Sequence, residues 1–174
     1  MCLNKETTLD AVIDIILEKL DEGGTVTFTP NGTSMLPMLR DGQDIVMLKK
    51  PNGRLRLYEV ALYKRENGQY VLHRVLDFGN DGSYIMCGDN QFKKEKGIKD
   101  SQIIAVLVGF VRKGRPCTTD NIIYRIYISF WYHTRVFRRA FRSVKRRLGI
   151  EEKKNKKDKK DKKNKEDEKK KDTE

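Results

Sequence analysis

Residues 59–76 have the sequence EVALYKRENGQYVLHRVL, in which two apolar runs flank Glu66-Asn67-Gly68. A short turn-forming segment between two such runs predicts a β-hairpin. Working outward, further short apolar segments lie at residues 26–28, 44–49, 83–87 and 102–111. Strands at this spacing, separated by turn residues, predict a mainly β, compact barrel-like domain.

The N-terminal segment, residues 1–24, has a helical period instead. Over residues 8–20 the apolar side chains recur three and four positions apart, at Leu9, Val12, Ile13, Ile16, Leu17 and Leu20. Thr7 or Thr8 can cap the start, and Gly23-Gly24 ends the pattern. We expect an amphipathic helix that packs on the sheet and carries no chemistry.

The net charge of +12 is concentrated at the C-terminal end of the chain. Residues 1–120 hold 17 basic and 16 acidic side chains, residues 121–150 hold eight basic and no acidic ones, and residues 151–174 hold 12 and nine. The expected divisions are therefore a domain over residues 25–120, a cationic helix over 121–150 and a charged tail over 151–174. The tail has no apolar residue, which predicts disorder. The nearly neutral domain disfavours a nucleic-acid partner, whose basic patch should lie on the fold itself.

Residues 121–150 predict a cationic amphipathic helix. On a helical wheel one face carries Ile126, Phe130, Phe137, Phe141, Val144 and Leu148, and the opposite face carries Arg135, Arg138, Arg139, Arg142, Lys145 and Arg146. This pattern suits the plane of an anionic membrane surface. Two alternatives stay open: a helix docked on its own domain with a solvated basic face, and a binder of single-stranded RNA.

Three short motifs follow one another at the edges of the predicted strands. They are Gly32-Thr33-Ser34-Met35-Leu36-Pro37, His73-Arg74-Val75 and Gly88-Asp89-Asn90. The hydroxyl of Ser34, the imidazole of His73 and the carboxylate of Asp89 are the parts of a nucleophilic hydrolase. Each also has an ordinary structural interpretation, as a turn residue, a packed strand histidine and a turn.

Taken in this order, the motifs resemble the signal peptidase / LexA-like serine peptidase superfamily over about residues 25–111. A histidine in place of a lysine makes the likeness closest to the Ser/His branch found in archaea and the endoplasmic reticulum. The resemblance implies Ser34 as nucleophile, His73 as general base and Asp89 as the acid that orients the histidine. Asp100 is a rival for that last role, because the lysine-rich residues 91–98 depart from the family pattern. The Ser34 N–H is expected to stabilise the oxyanion.

The resemblance implies a serine endopeptidase that cleaves a signal or leader segment from a small precursor polypeptide. Most members have a transmembrane anchor, whereas no stretch here approaches the roughly 20 apolar residues that span a bilayer, and no secretory signal is apparent. We therefore expect a peripheral membrane protein on the cytoplasmic side, with the cytoplasm as the alternative. We also expect deletion of residues 121–174 to leave the chemistry intact and to abolish binding to anionic liposomes.

Two other functions are considered. One is an inactive peptidase-fold scaffold that binds peptides or the membrane surface. The other is a LexA-like self-cleaving regulator, which is disfavoured because its base is a lysine and because the chain contains no Ala-Gly bond. No cofactor or metal is expected, since two distant histidines and the scattered Cys2, Cys87 and Cys117 do not form a tetrahedral site. The odd cysteine count predicts reduced thiols.

Overall fold

The computed structural model describes residues 9–147. Thr7, Thr8, Leu148 and residues 151–174, for which the sequence makes predictions, lie outside this range. Within it, the predictions for five side chains fall outside the description: Leu9, Val12, Arg142, Lys145 and Arg146. The described residues fall into two compact units, with the division between Ser129 and Phe130.

Eight strands and three α-helices make up the described part of the chain. The strands are β1 Val26–Phe28, β2 Ile45–Lys49, β3 Val60–Lys64, β4 Tyr70–Phe78, β5 Tyr84–Cys87, β6 Glu95–Ile98, β7 Ile103–Arg112 and β8 Arg115–Thr118. The helices are α1 Leu9–Asp21, α2 Ile122–His133 and α3 Arg135–Arg147, and a 3-10 turn covers Asp100–Gln102. The predicted mainly β class and N-terminal helix are confirmed. Strands β6 and β8 were not predicted, because neither contains an apolar run.

All strand pairs in the sheet are antiparallel, in the order β1-β2-β7-β3-β4-β5-β6, with β8 on β7. The predicted hairpin joins β3 to β4, with Ala61 opposite His73 and Lys64 opposite Tyr70. Within residues 9–147 the order is open, so the sheet is not closed into the barrel that the strand spacing predicted. The end strand β6 has only four residues and exposes Lys96, features that discourage further pairing at a sheet edge.

The sheet is buried on both faces. One hydrophobic cluster gathers the inner face of α1, the turn after β1 and strands β2, β3 and β7, and it includes Leu20, Met38 and Tyr124. The other cluster, on the opposite face, includes Tyr63 and Met86. Side chains alternate between the two faces of a strand, which explains why neighbouring residues of β3 enter different clusters.

The predicted C-terminal helix is divided in two at Thr134. The Thr134 Oγ1 donates a hydrogen bond to the carbonyl oxygen of Phe130 at 2.8 Å, a back-bond that competes with the helical pattern and bends a helix. At the other end of α2, the Asn121 side chain accepts from the Ile123 N–H at 2.8 Å and caps the helix. None of the helices within residues 9–147 combines the length and the apolar character needed to cross a membrane.

Candidate active site

Ser34 lies in the turn between β1 and β2, held by neighbours that are buried in the core. Met35 and Met38 are 4% and 2% exposed, while Ser34 itself is half-buried. Gly32 adopts a φ of 107°, and its N–H donates to Asp41 Oδ1 at 2.7 Å. Neither the Oγ nor the N–H of Ser34 is hydrogen-bonded to another residue in the described range 9–147. A substrate can therefore bond to either group without displacing a residue of this range.

His73 lies on β4 and is 1% exposed. Its Nδ1 is 3.2 Å from the Tyr63 hydroxyl and 3.3 Å from Oε1 of Glu95. Tyr63 lies two residues along β3 from Ala61, the strand partner of His73, so the two side chains share one face of the sheet. Glu95 is the first residue of β6.

These two neighbours determine which nitrogen of His73 carries the proton. Tyr63 donates its hydroxyl proton to Glu95 Oε2 at 2.8 Å, so its oxygen can only accept from the imidazole. The Glu95 carboxylate can also only accept. Nδ1 therefore carries the hydrogen, and Nε2 keeps the lone pair that a general base needs.

The protonation states of His73 and Glu95 suit a general base and the carboxylate that orients it. Burial lowers the pKa of His73 below its ordinary value, and the nearby Glu95 carboxylate only partly opposes this effect. Burial alone would raise the pKa of Glu95, but hydrogen bonds from Arg65 and Tyr63 bring it below the ordinary value. The Arg65 Nε donates to Glu95 Oε2 at 2.8 Å, and its Nη2 donates to Oε1. At neutral pH the site thus holds a neutral imidazole beside an ionised carboxylate.

Gly88 brings the serine turn and the histidine together. A Cβ atom on Gly88 would meet the Ser34 carbonyl oxygen at 2.6 Å and His73 Nε2 at 3.1 Å, so only glycine leaves enough room. Asn90 also holds the serine turn close to the segment of Gly88, because its N–H donates to the Ser34 carbonyl at 2.8 Å and its Nδ2 donates to the Thr33 carbonyl at 3.0 Å. The third motif therefore holds the serine turn against the lone-pair side of His73.

Asp89 is bound by Arg74 through two hydrogen bonds. The Arg74 Nε donates to Oδ1 and Nη2 to Oδ2, both at 2.7 Å, and both side chains are at least 96% buried. Burial alone would lower the pKa of Arg74, but the Asp89 charge raises it above its ordinary value. The Arg74 guanidinium is therefore charged. The geometry gives the place beside Nδ1 to Glu95, while Asp89 supports the turn, a role that the sequence left open.

Asp100 belongs to a separate cluster. It accepts a hydrogen bond from the Tyr84 hydroxyl, whose oxygen in turn accepts from the Leu55 N–H at 3.1 Å. Sequence reasoning missed Glu95 because it lies among lysines in a segment without an apolar run. The signal that marks it is that it is the one acidic residue in residues 91–98.

Comparison with protein-family models, curated proteins and solved structures finds no match to this chain. The family resemblance therefore stays an expectation. Within residues 9–147, no three His, Cys, Asp or Glu side chains are grouped to hold a metal ion. Cys87 and Cys117 form no disulfide within residues 9–147.

Proposed function

We propose that this chain is a serine endopeptidase that uses Ser34 as nucleophile and His73 as general base. The observation that carries the proposal is the environment of His73: two acceptors face Nδ1, and Nε2 faces Gly88 and the serine turn. A packed core histidine has no need of a carboxylate at one ring nitrogen and of a glycine that brings the serine turn close to the other. Asp89 contributes by holding the turn through Arg74.

In the proposed reaction Nε2 of His73 accepts the Oγ proton as Ser34 adds to the carbonyl carbon of the substrate. The Ser34 N–H donates to the developing oxyanion. Glu95 stabilises the imidazolium, which then gives its proton to the leaving amine. A water molecule, deprotonated by His73, hydrolyses the acyl-enzyme and restores the hydroxyl. The structure has no hydrogen bond between Ser34 Oγ and His73 Nε2, and the proposed reaction requires this bond to form when substrate binds, as it does in many sites that lack it in the apo state.

The motif order supports assignment to the Ser/His branch of the signal peptidase / LexA-like superfamily, and therefore a signal- or leader-bearing precursor as substrate. The histidine also argues against the self-cleaving regulator, whose base is a lysine. An inactive scaffold is the remaining alternative, and the ionised carboxylate beside an unprotonated base argues against it.

Mass spectrometry of a peptide library with small residues before the cut tests the proposal. We expect cleavage by the wild type, and its loss in both Ser34→Ala and His73→Ala. Ser101→Ala serves as the matched control, because Ser101 is an exposed serine outside the site. Cleavage that survives Ser34→Ala would contradict the assignment of the nucleophile. No cleavage by the wild type would favour the scaffold.

We also propose that α3 binds an anionic membrane surface, which places the enzyme peripherally on the cytoplasmic side. Four apolar residues of α3 are largely exposed: Val136, Phe137, Phe141 and Val144, at 74%, 76%, 63% and 51%. Residues 121–150 contain no acidic side chain. Exposed aromatic side chains can enter the boundary between headgroups and acyl chains, and basic side chains attract anionic headgroups.

Co-sedimentation with vesicles tests the membrane proposal. We expect the protein to bind vesicles that contain phosphatidylserine and to bind phosphatidylcholine vesicles far less. The double variant Phe137→Ser/Phe141→Ser should lose binding, whereas Leu57→Ser, which removes an exposed apolar side chain outside the helices, should not. Equal binding by the double variant would contradict the proposal, and binding of single-stranded RNA in place of vesicles would favour the RNA alternative.

A further inference from the structure

The first turns of α2 are attached to the ion pair behind the candidate site. Tyr124 is 5% exposed, and its hydroxyl accepts a hydrogen bond from Arg74 Nη1 at 3.2 Å. Its ring packs on Phe110, with the centroids 6.1 Å apart. One helical turn later, the Tyr127 hydroxyl donates to Asp89 Oδ2 at 3.4 Å. One helix thus contacts both members of the pair.

Arg74 connects the strand that carries His73 with the turns that carry Gly88 and Ser34. It follows His73 in β4 and is bound to Asp89, which follows Gly88. Its Nη2 also lies 2.9 Å from the sulfur of Met38, in the turn that carries Ser34. A buried guanidinium needs partners for all its N–H groups, because an unpaired donor there is costly. The hydroxyl of Tyr124 is one of these partners.

We propose that Tyr124 and Tyr127 are positioning residues of the proposed peptidase site, and that they act through the Arg74–Asp89 pair. The inference rests on the proposed peptidase function. Without the two hydroxyls, Asp89 is held less firmly and the turn that follows it loosens. The hydrogen bond from the Asn90 N–H to the Ser34 carbonyl is then weakened, and Ser34 moves relative to His73. Displacements of about 1 Å at a reacting group can cost a hundredfold in rate.

A purely structural role for these tyrosines predicts something different. Phenylalanine retains the ring and its packing against Phe110, so a core role would survive the change Tyr124→Phe. The change removes only the hydroxyl that accepts from Arg74, because the ring, whose centroid lies 5.9 Å from the guanidinium carbon, is retained. A positioning role therefore predicts that kcat falls while KM is maintained.

The test uses the full-length variants Tyr124→Phe and Tyr127→Phe. Tyr70→Phe is the matched control, because the Tyr70 hydroxyl on β4 has no hydrogen-bond partner within residues 9–147. Hydrogen exchange of the Asn90 amide, which reports the bond to Ser34, is the readout that does not depend on catalysis. The kcat and KM values for a cleaved peptide are the second readout.

We expect Tyr124→Phe to speed Asn90 exchange and to lower kcat by about tenfold each, the value of one hydrogen bond to a charged group, with KM unchanged. Tyr127→Phe, whose bond is longer, should give about a threefold effect. Unchanged exchange and unchanged kcat in both variants of an active enzyme would overturn this inference and leave the peptidase proposal standing. A wild type that cleaves no peptide would overturn both.

Discussion

Replacing Glu95 by glutamine removes the charge beside His73 and leaves the size of the side chain unchanged. The carboxylate lies 3.3 Å from Nδ1 and also accepts from Tyr63 and Arg65. Arg65 is 31% exposed, so water can solvate its guanidinium when the carboxylate is gone. We therefore expect the fold to survive Glu95→Gln, and the change to act mainly on the imidazole.

The magnitude follows from the contact that is lost. A hydrogen bond to a charged group contributes about 1.5–3 kcal/mol, and the imidazolium that forms during the reaction would lose one such partner. At about 1.4 kcal/mol per tenfold change in rate, kcat/KM should fall by about 10- to 100-fold. Glu95 raises the pKa of His73. Removing it lowers this pKa further, and the acid limb of the pH–rate profile should move to lower pH.

The assay is kcat/KM against pH for one cleaved peptide, measured for the wild type and Glu95→Gln. Glu59→Gln is the control, because Glu59 pairs with the exposed Arg56 at 2.9 Å in the segment before β3. An acid limb at the same pH, with unchanged kcat/KM, in the Glu95 variant would refute the argument that this carboxylate orients the histidine and stabilises its imidazolium form.

Three further results are expected. In Gly88→Ala the new methyl group would lie 2.6 Å from the Ser34 carbonyl oxygen. Peptidase activity should therefore fall at least tenfold, and urea unfolding should show a free energy of unfolding lower by about 1–3 kcal/mol. Wild-type values for both would contradict the close approach of the two segments. Because burial lowers the pKa of His73, wild-type kcat/KM should rise through an acid limb with its midpoint below about 6.5, and a midpoint above that value would contradict this. A chain that ends before Tyr124 should lose about 3–5 kcal/mol of stability, whereas one that ends at Ser129 should not, as thermal unfolding would show.

The sequence led to the expectation that deletion of residues 121–174 leaves the chemistry intact, and the burial of Tyr124 changes that expectation for the first turns of α2. The helical period separates residues 121–150 from the β domain, but it does not show which face of the helix is covered. Tyr124 is buried against Phe110 and Arg74, and this contact joins segments 50 residues apart in sequence. Long-range contacts of this kind leave no local signal.

The strands with apolar runs were predictable, because alternation and turn residues are local properties. The hairpin between β3 and β4 follows directly from Glu66-Asn67-Gly68. Strand β6 was not predictable, since its sequence Glu95-Lys96-Gly97-Ile98 lacks a strand pattern and forms only by pairing with β5. Barrel closure depends on which edge strands meet, which spacing does not determine.

Ser34 and His73 could be proposed from their motifs, and the structure places both beside Gly88. The partner of His73 could not be chosen from the sequence, because five carboxylates follow the histidine within 27 residues: Asp77, Asp81, Asp89, Glu95 and Asp100. The choice depends on which partner each carboxylate binds in the folded chain. Asp89 is bound by Arg74 and Asp100 by Tyr84, whereas Glu95 lies beside Nδ1 of His73.

The central claim is that His73 activates Ser34, and labelling with a fluorophosphonate tests it without knowledge of the substrate. Such reagents react covalently with a serine whose hydroxyl is deprotonated by an adjacent base. Peptide mapping by mass spectrometry should find the label on Ser34, with labelling lost in His73→Ala and slowed in Glu95→Gln. Absence of label on Ser34, or equal labelling in His73→Ala, would contradict the account.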